Sequence, residues 1–486
     1  MHQSSVDYSR KWYVMAAVAM GIFQATIDGS IVNIALPTIA REFHVDFTMV
    51  QWVVLSYLLT VTTLMLSVGR LADMVGKKAL YIIGFITFTS GSALCSLTPD
   101  IIWLISFRVL QGLGAALLMA LGAAIVTEAF PPTERGQALG ISGLMVSIGI
   151  VIGPTLGGLL IDLLSWRWIF FVNVPVGILG TLMVIHYVPD MRPVGKQRFD
   201  FVGASALGVC LLSFLLALTL GQRSGFGQPQ PVLLFANAIF TLVLFILIER
   251  SSPHPIIALE LFQANLFTIN LISGFISFIL IAGSLFLMPF YLEHVSGYTT
   301  RQIGLLLATV PIALGISTPI SGWLSDRSGP RPMTVLGLLV LLIGYYTCTT
   351  LNAQTTTGGY ILRFLLIGLG TGIFQSPNNS AIMGTALSTQ LGVVSGLLAT
   401  TRTMGQMTGI AVLGAVWAGR IMVYTGDSTA SVITTAPITA QVVALQDTFM
   451  VGSASIALAL VLSAWGLVQE RWAGFRRVQT ELRSDT

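Results

Sequence analysis

Polar and apolar residues do not alternate along this chain. The apolar ones gather in runs of about twenty, apolar on every face, with short polar stretches between. Runs of that length match a helix crossing a ~30 Å hydrocarbon core. They fall at 12–36, 48–68, 79–97, 101–125, 136–162, 167–187, 200–220, 232–249, 265–292, 302–323, 333–351, 359–382, 391–418 and 447–469. An all-α membrane protein with fourteen transmembrane helices is predicted. A β-barrel does not fit, because its strands alternate apolar and polar at every second residue.

The runs also repeat. Gly69–Lys78, GRLADMVGKK, returns 253 residues later as Gly322–Arg331, GWLSDRSGPR. Ser142-Gly143-Leu144 returns as Ser395-Gly396-Leu397 at the same offset, and Arg108 ahead of Gly112-Leu113-Gly114 as Arg363 ahead of Gly368-Leu369-Gly370, at 255 to 256. Three echoes in order at nearly one offset indicate duplication, and internal repeats are characteristic of transporters. Moving the start of the first run, Trp12, by 253 reaches Asn265, where the ninth run begins. The expected organisation is two six-helix pseudo-repeats plus two linker helices. An N-terminal bundle covers 1–190, a linker with two extra spans 191–260, a C-terminal bundle 261–470 and a cytoplasmic tail 471–486.

Composition agrees with a membrane protein: 54% of the 486 residues are hydrophobic and 9% charged, with a mean hydropathy of +0.85. Soluble domains carry about 25% charged residues. Of 24 Lys and Arg, an N-terminus-inside topology puts sixteen on the inner side and six outside, leaving Arg108 and Arg402 within spans. That bias predicts both termini in the cytoplasm. It also accounts for the basic balance without a nucleic-acid surface, which would need a clustered basic domain. The first run holds Asp28 and continues to Pro37 without a cleavage site, so it reads as an uncleaved span. Cys95, Cys210 and Cys348 are scattered singly, and no paired His spacing, Walker loop or nucleophile elbow occurs. No cofactor, metal or enzymatic activity is expected.

The chemistry must therefore lie within the spans. Asp28 is the one acid well inside a span; such a carboxylate costs roughly 3 kcal/mol on insertion scales and is by default functional. Gln24, one turn earlier on the same face, suggests a polar strip facing a cavity. Arg108, within the fourth span, reads on its own as a snorkelling or helix-capping arginine. The 69–78 loop, with Gly69, Asp73, Gly76, Lys77 and Lys78, reads as a latch between the halves or as a simple topological anchor. Gly149, Gly153, Pro154, Gly157 and Gly158 place small residues at four-residue spacing, which allows close helix approach, with a proline to bend the helix; packing motif and hinge are both open. A substrate site is expected between the halves at mid-membrane, with Phe23, Gln24, Asn33, Trp52, Tyr57, Phe275, Phe286, Gln375 and Asn378 as candidate lining. Arg402 stands where the duplicate has Gly149, and either pairs with Asp73 or lines that cavity.

Gly69-x-Leu71-x-Asp73-x-x-Gly76-Lys77-Lys78 resembles the signature loop of the major facilitator superfamily. Arg108-x-x-Gln111-Gly112-x-Gly114 resembles its second motif, which implies a role for Arg108 in coupling protonation with Asp28, and Gly149 to Gly158 resembles the motif of its antiporters. Asp28 through Asn33-x-Ala35-Leu36-Pro37, the two linker helices and WRWIFFVNVP, Trp166–Pro175, are similar to the fourteen-span drug:proton antiporters. Gly29-Ser30 departs from that family, which usually has threonines there. The resemblance implies a proton-coupled exporter of hydrophobic or amphipathic drugs, cationic ones included. It would be a monomer in the plasma (inner) membrane, with small molecules, protons and lipid as its partners. Export of a lipid, siderophore or endogenous metabolite is the alternative, and a non-transporting membrane sensor the remaining one.

Overall fold

The computed structural model describes residues 10–131, 134–189, 201–251, 262, 265–384, 391–426 and 436–484. Among them there is no β-strand. The first half holds α1 (Lys11–Glu42), α2 (Phe47–Val75), α3 (Lys77–Ser96), α4 (Ile101–Ala129) and α5 (Arg135–Leu163), then a short α6 (Trp168–Phe171) leading into α7 (Asn173–Tyr187). Next come α8 (Phe201–Ser224) and α9 (Pro229–Ser251). The second half has α10 (Asn265–Phe290), ending in a wide π-turn over Tyr291–Val295, then α11 (Thr300–Leu307) running into α12 (Thr309–Ser328). It closes with α13 (Pro330–Cys348), α14 (Thr357–Gly384), α15 (Leu391–Thr425) and α16 (Ile438–Ser484). Twelve helices among the described residues are long and apolar enough to cross a membrane, and two apolar stretches, Ile148–Leu163 and Ser205–Gly221, are shorter.

Local chemistry sets the boundaries. Asp46 caps α2 by accepting from the Met49 amide at 2.7 Å, and Asp100 caps α4 through Ile102 and Trp103. Thr299 and Gln302 form a reciprocal capping box at α11. Gly76 and Gly329, the matching glycines of the two repeats, have φ of 102° and 83°. Only glycine adopts that region without strain. Each joins two helices with no intervening loop.

The helices of each half pack mainly on one another. The halves meet through α5 with α11, α2 with α15 and α1 with α10. Close backbone contacts recur across the duplication: a Cβ on Gly112 would strike the Tyr57 carbonyl and one on Gly368 the Val310 carbonyl, while Gly91 abuts Gln111 and Gly344 abuts Ile367. Position 57 maps onto 310 by 253, whereas α4 maps onto α14 by 256. Arg363, at 255 from Arg108, is therefore one residue out of register. It is directed instead at the Thr347 and Gly359 carbonyls near the end of its helix. The linker helix α8 packs on α9, α2 and α15, and α9 packs chiefly on α8. The face bearing the 43–46, 97–100 and 296–299 turns, hereafter the outer face, is the one the Lys and Arg bias assigns to the outside.

Candidate functional site: a buried ion pair beneath a sealed outer face

Five helices converge on Asp28, within the first half and toward its outer face. Asp28 on α1 and Arg108 on α4 form an ion pair, Arg108 Nη1 to Asp28 Oδ2 at 2.5 Å, with both side chains fully buried. Gln111, one turn along α4, donates to Asp28 Oδ1 at 2.7 Å and to Ser92 Oγ of α3 at 2.6 Å. Its Oε1 accepts from Arg108 at 2.6 Å. Asn173 of α7 donates to Asp28 Oδ1 at 3.2 Å, and its carbonyl accepts from Gln24 at 2.8 Å. Arg108 reaches α2 as well: its Nε donates to the Val53 carbonyl at 2.9 Å and its guanidinium lies 4.1 Å from the Tyr57 ring centroid.

Arg108 Nη2 and Gln24 Oε1 have no hydrogen-bond partner. Elsewhere the network is satisfied, as buried charge requires. Neutralising Asp28 would leave a buried guanidinium held only by Val53, Gln111 and an aromatic face. The pair and its hydrogen bonds thus tie α1, α2, α4 and α7 to one another.

Toward the outer face the halves are sealed. Arg41, near the end of α1, pairs with Glu293 in the π-turn after α10 at 2.7 Å. Phe47 packs edge-on against Phe286, Phe290 and Trp417 of the second half. Gln51 donates to the Ile410 carbonyl at 2.7 Å. Gly158 and Gly304 bring α5 and α11 together so closely that a Cβ on Gly304 would lie 2.4 Å from the Pro154 carbonyl.

A family profile described as Major Facilitator Superfamily matches residues 18–410. The chain belongs to the Major Facilitator Superfamily. It is 35% identical over 405 residues to the riboflavin transporter RibZ of Clostridioides difficile, covering 83% of this chain and 87% of that one. To the multidrug transporter protein MdtP of Bacillus subtilis it is 31% identical, covering 85% and 76%. To the multidrug resistance protein Stp of Mycobacterium tuberculosis it is 34% identical, covering 83% and 75%. Its fold is similar to that of a bacterial homologue of the human lysosomal transporter Spinster, solved inward-facing and unoccupied, at a TM-score of 0.67 and 16% identity over 95% of this chain and 97% of that one. It is an integral, multi-pass membrane protein of a transporter superfamily, whose members are not enzymes.

Against this superfamily fold the expected site residues divide. Asp28 and Arg108 meet directly. Gln24 and Tyr57 were expected to line the cavity, and the structure corrects this. Gln24 is fully buried against α7, and Tyr57, 3% exposed, donates to the Ala25 carbonyl beneath Arg108. The reason is helical phase: Gln24 and Asp28 share the face of α1 turned into its own half. Phe23, Thr26, Gly29, Ser30 and Asn33 form the other, half-buried stripe. A Cβ on Gly29 would meet nothing within 4 Å. Trp52 and Gln375 are half-buried and Asn378 is buried beside Gly274 of α10. Oδ1 of both Asn33 and Asn378 is buried without a partner.

In the superfamily loop, Gly69 and Asp73 fall in the last turns of α2, and their side-chain positions lie outside the described residues, so the Asp73 latch and an Asp73–Arg402 pair do too. Lys77 is bound to Glu128 at the end of α4, and Lys78 donates to the Ile185 carbonyl of α7 at 2.9 Å. Gly149, Gly153 and Gly157 pack on Thr26, Ser30 and Ile31 of α1, and Gly158 on α11. Ser30, the departure from the family pattern, fills the notch over Gly153 and donates to the Gly149 carbonyl at 3.1 Å. Sequence reasoning did not single out Ser92, Asn173 or the Arg41–Glu293 pair. Asn173 carried a signal, as the one carboxamide in the apolar stretch WRWIFFVNVP.

Proposed function

We propose that this chain is a proton-coupled exporter of hydrophobic or amphipathic small molecules, working by alternating access in the plasma membrane with both termini cytoplasmic. The observation that carries the reading is the buried Asp28–Arg108 pair, a carboxylate placed where its charge ties four helices together. In this reading, protonation of Asp28 frees Arg108 and biases the halves toward one access state, since a ligand shifts an equilibrium only by its differential affinity for two states. The 69–78 loop and the Gly149–Gly158 stripe gate the two faces. One proton crossing ~150 mV releases about 3.5 kcal/mol, which supports a gradient of a few hundredfold.

Similarity to MdtP and Stp supports a drug exporter. Similarity to RibZ supports a second reading, transport of a metabolite such as a flavin. The test is a growth-inhibition panel of dyes, detergents and antibiotics with and without expression, together with riboflavin flux and substrate-induced proton release in proteoliposomes. Protection against the panel with proton release supports the first reading; riboflavin flux without protection supports the second. Neither would overturn both.

A further inference from the structure

Asp28, the carboxylate that would attract a cationic drug, does not face the space between the halves. Its charge is taken up by Arg108, and both side chains are 0% exposed. Glu42, Glu128, Glu293 and Asp326 sit at or near helix ends, and Asp447 is taken up by Arg420 at 2.6 Å. The charge that does lie mid-helix in the second half is positive. Arg402 of α15 is half-buried, about eight residues and hence about 12 Å inward from the seal where Gln51 meets Ile410.

Helix α15 is enclosed by α2, α8, α10, α14 and α16, so a partly exposed side chain on it need not face lipid. The Arg402 guanidinium stands 5.7 Å from the ring centroid of Phe278 on α10. Gly405, one turn on, lets α15 approach α10 so closely that a Cβ there would lie 2.7 Å from Phe278 Cβ. Phe275, Phe278 and Ala282 form a half-buried stripe on α10. Among the described residues no carboxylate pairs with Arg402 and no acceptor takes its N–H groups, although a guanidinium offers five donors. A half-buried guanidinium without a protein acceptor leaves its N–H donors open to a ligand. Asn378, 2% exposed with an unpartnered Oδ1, flanks the same side of α10 one turn from Phe278, at Gly274.

We infer that Arg402 is the charge-selecting residue of the transport cavity, and that its substrates are aromatic organic anions: planar molecules carrying a carboxylate, phenolate or enolate. The inference rests on the exporter reading. The guanidinium supplies bidentate donors to the anionic oxygens, and Phe278 and Phe275 supply ring faces. Cations meet an uncompensated positive charge and are disfavoured. The departure from the duplicate's glycine at this position, Gly149, has a purpose on this account.

The test uses two xanthene dyes of one skeleton and opposite charge, fluorescein and rhodamine 6G, titrated by fluorescence anisotropy against the purified full chain at pH 7.5. Wild type is expected to bind fluorescein at least about tenfold tighter (1.4 kcal/mol). Arg402→Gln should lose that preference without weakening rhodamine binding, and Arg402→Lys should keep part of it. Tighter rhodamine binding by wild type, an unchanged ratio in Arg402→Gln, or binding of neither dye overturns the inference. The wild-type ratio decides even if Arg402→Gln does not fold. Proton-gradient-driven dye movement in proteoliposomes separates the two claims. A dye preference without proton-driven movement refutes the exporter reading alone, and proton-driven movement without preference refutes the anion site alone.

Discussion

Asp28 and Arg108 confront the chain with two charges removed from water, a cost that close pairing and further hydrogen bonds must offset. Removing one partner strands the other, at about 3–5 kcal/mol, whereas removing both is far less costly. Asp28→Asn should therefore abolish substrate-induced proton release and lower the apparent melting temperature in detergent. Adding Arg108→Gln should restore much of the melting temperature without restoring proton release. Unchanged release in Asp28→Asn at matched protein level would put the coupling group elsewhere. Asp28 stands out in the sequence because an acid deep in an apolar run is costly. Its direct contact with Arg108 does not, since a sequence gives the phase of residues around one helix and not the rotation of that helix against its neighbours. The misplacement of Gln24 and Tyr57 has the same origin. Polarity says that a side chain avoids lipid, but a transporter half has two interiors, its own core and the cavity.

Helix α2 is the element that joins the ion pair to the outer seal. Arg108 holds it at the Val53 carbonyl and the Tyr57 ring, and about 9 Å further out the same helix inserts Phe47 among Phe286, Phe290 and Trp417. Gln51 ties the intervening turn to α15. Gln51→Leu removes that donor and should raise the accessibility of cysteines placed below the seal to an impermeant thiol reagent added outside, while proton binding at Asp28 persists. Unaltered accessibility would argue against α2 as the lever. The α1–α5 contact makes a second prediction. A Cβ on Gly153 would lie 1.9 Å from Ser30 Oγ and 2.9 Å from Ser30 Cβ, so Gly153→Ala should impair transport severely and Ser30→Gly should rescue it. Failure of rescue would mean that the glycine serves something other than this notch. That glycine spacing permits close approach could be read from the chain. Which helix approaches could not, because α1 offers small residues on more than one face.

At the scale of the molecule, the contacts that hold the halves together gather at the outer face. The seal there combines one ion pair, one aromatic plug, one side-chain hydrogen bond and two glycine contacts. In the proposed alternating-access cycle all of these part together, the outer ends of α1 and α10 included. The duplication, the span pattern and the hairpin glycines Gly76 and Gly329 made this scaffold legible from sequence, since each depends on local chemistry. The Arg41–Glu293 pair was not, because its partners lie 252 residues apart and neither belongs to a repeat echo. It supplies the last prediction. Replacing both residues by cysteine and bridging them with a short bifunctional thiol reagent should lock the outer face shut, and Cys95, Cys210 and Cys348, all buried, should not compete. Substrate should then still bind from the inner side, while efflux in vesicles falls to background and returns on reductive cleavage of the bridge. The single variants treated alike control for modification alone. Efflux that continues through a verified bridge would mean that the outer ends of α1 and α10 need not separate, and that substrate leaves by a lateral route between helices instead of through the outer face.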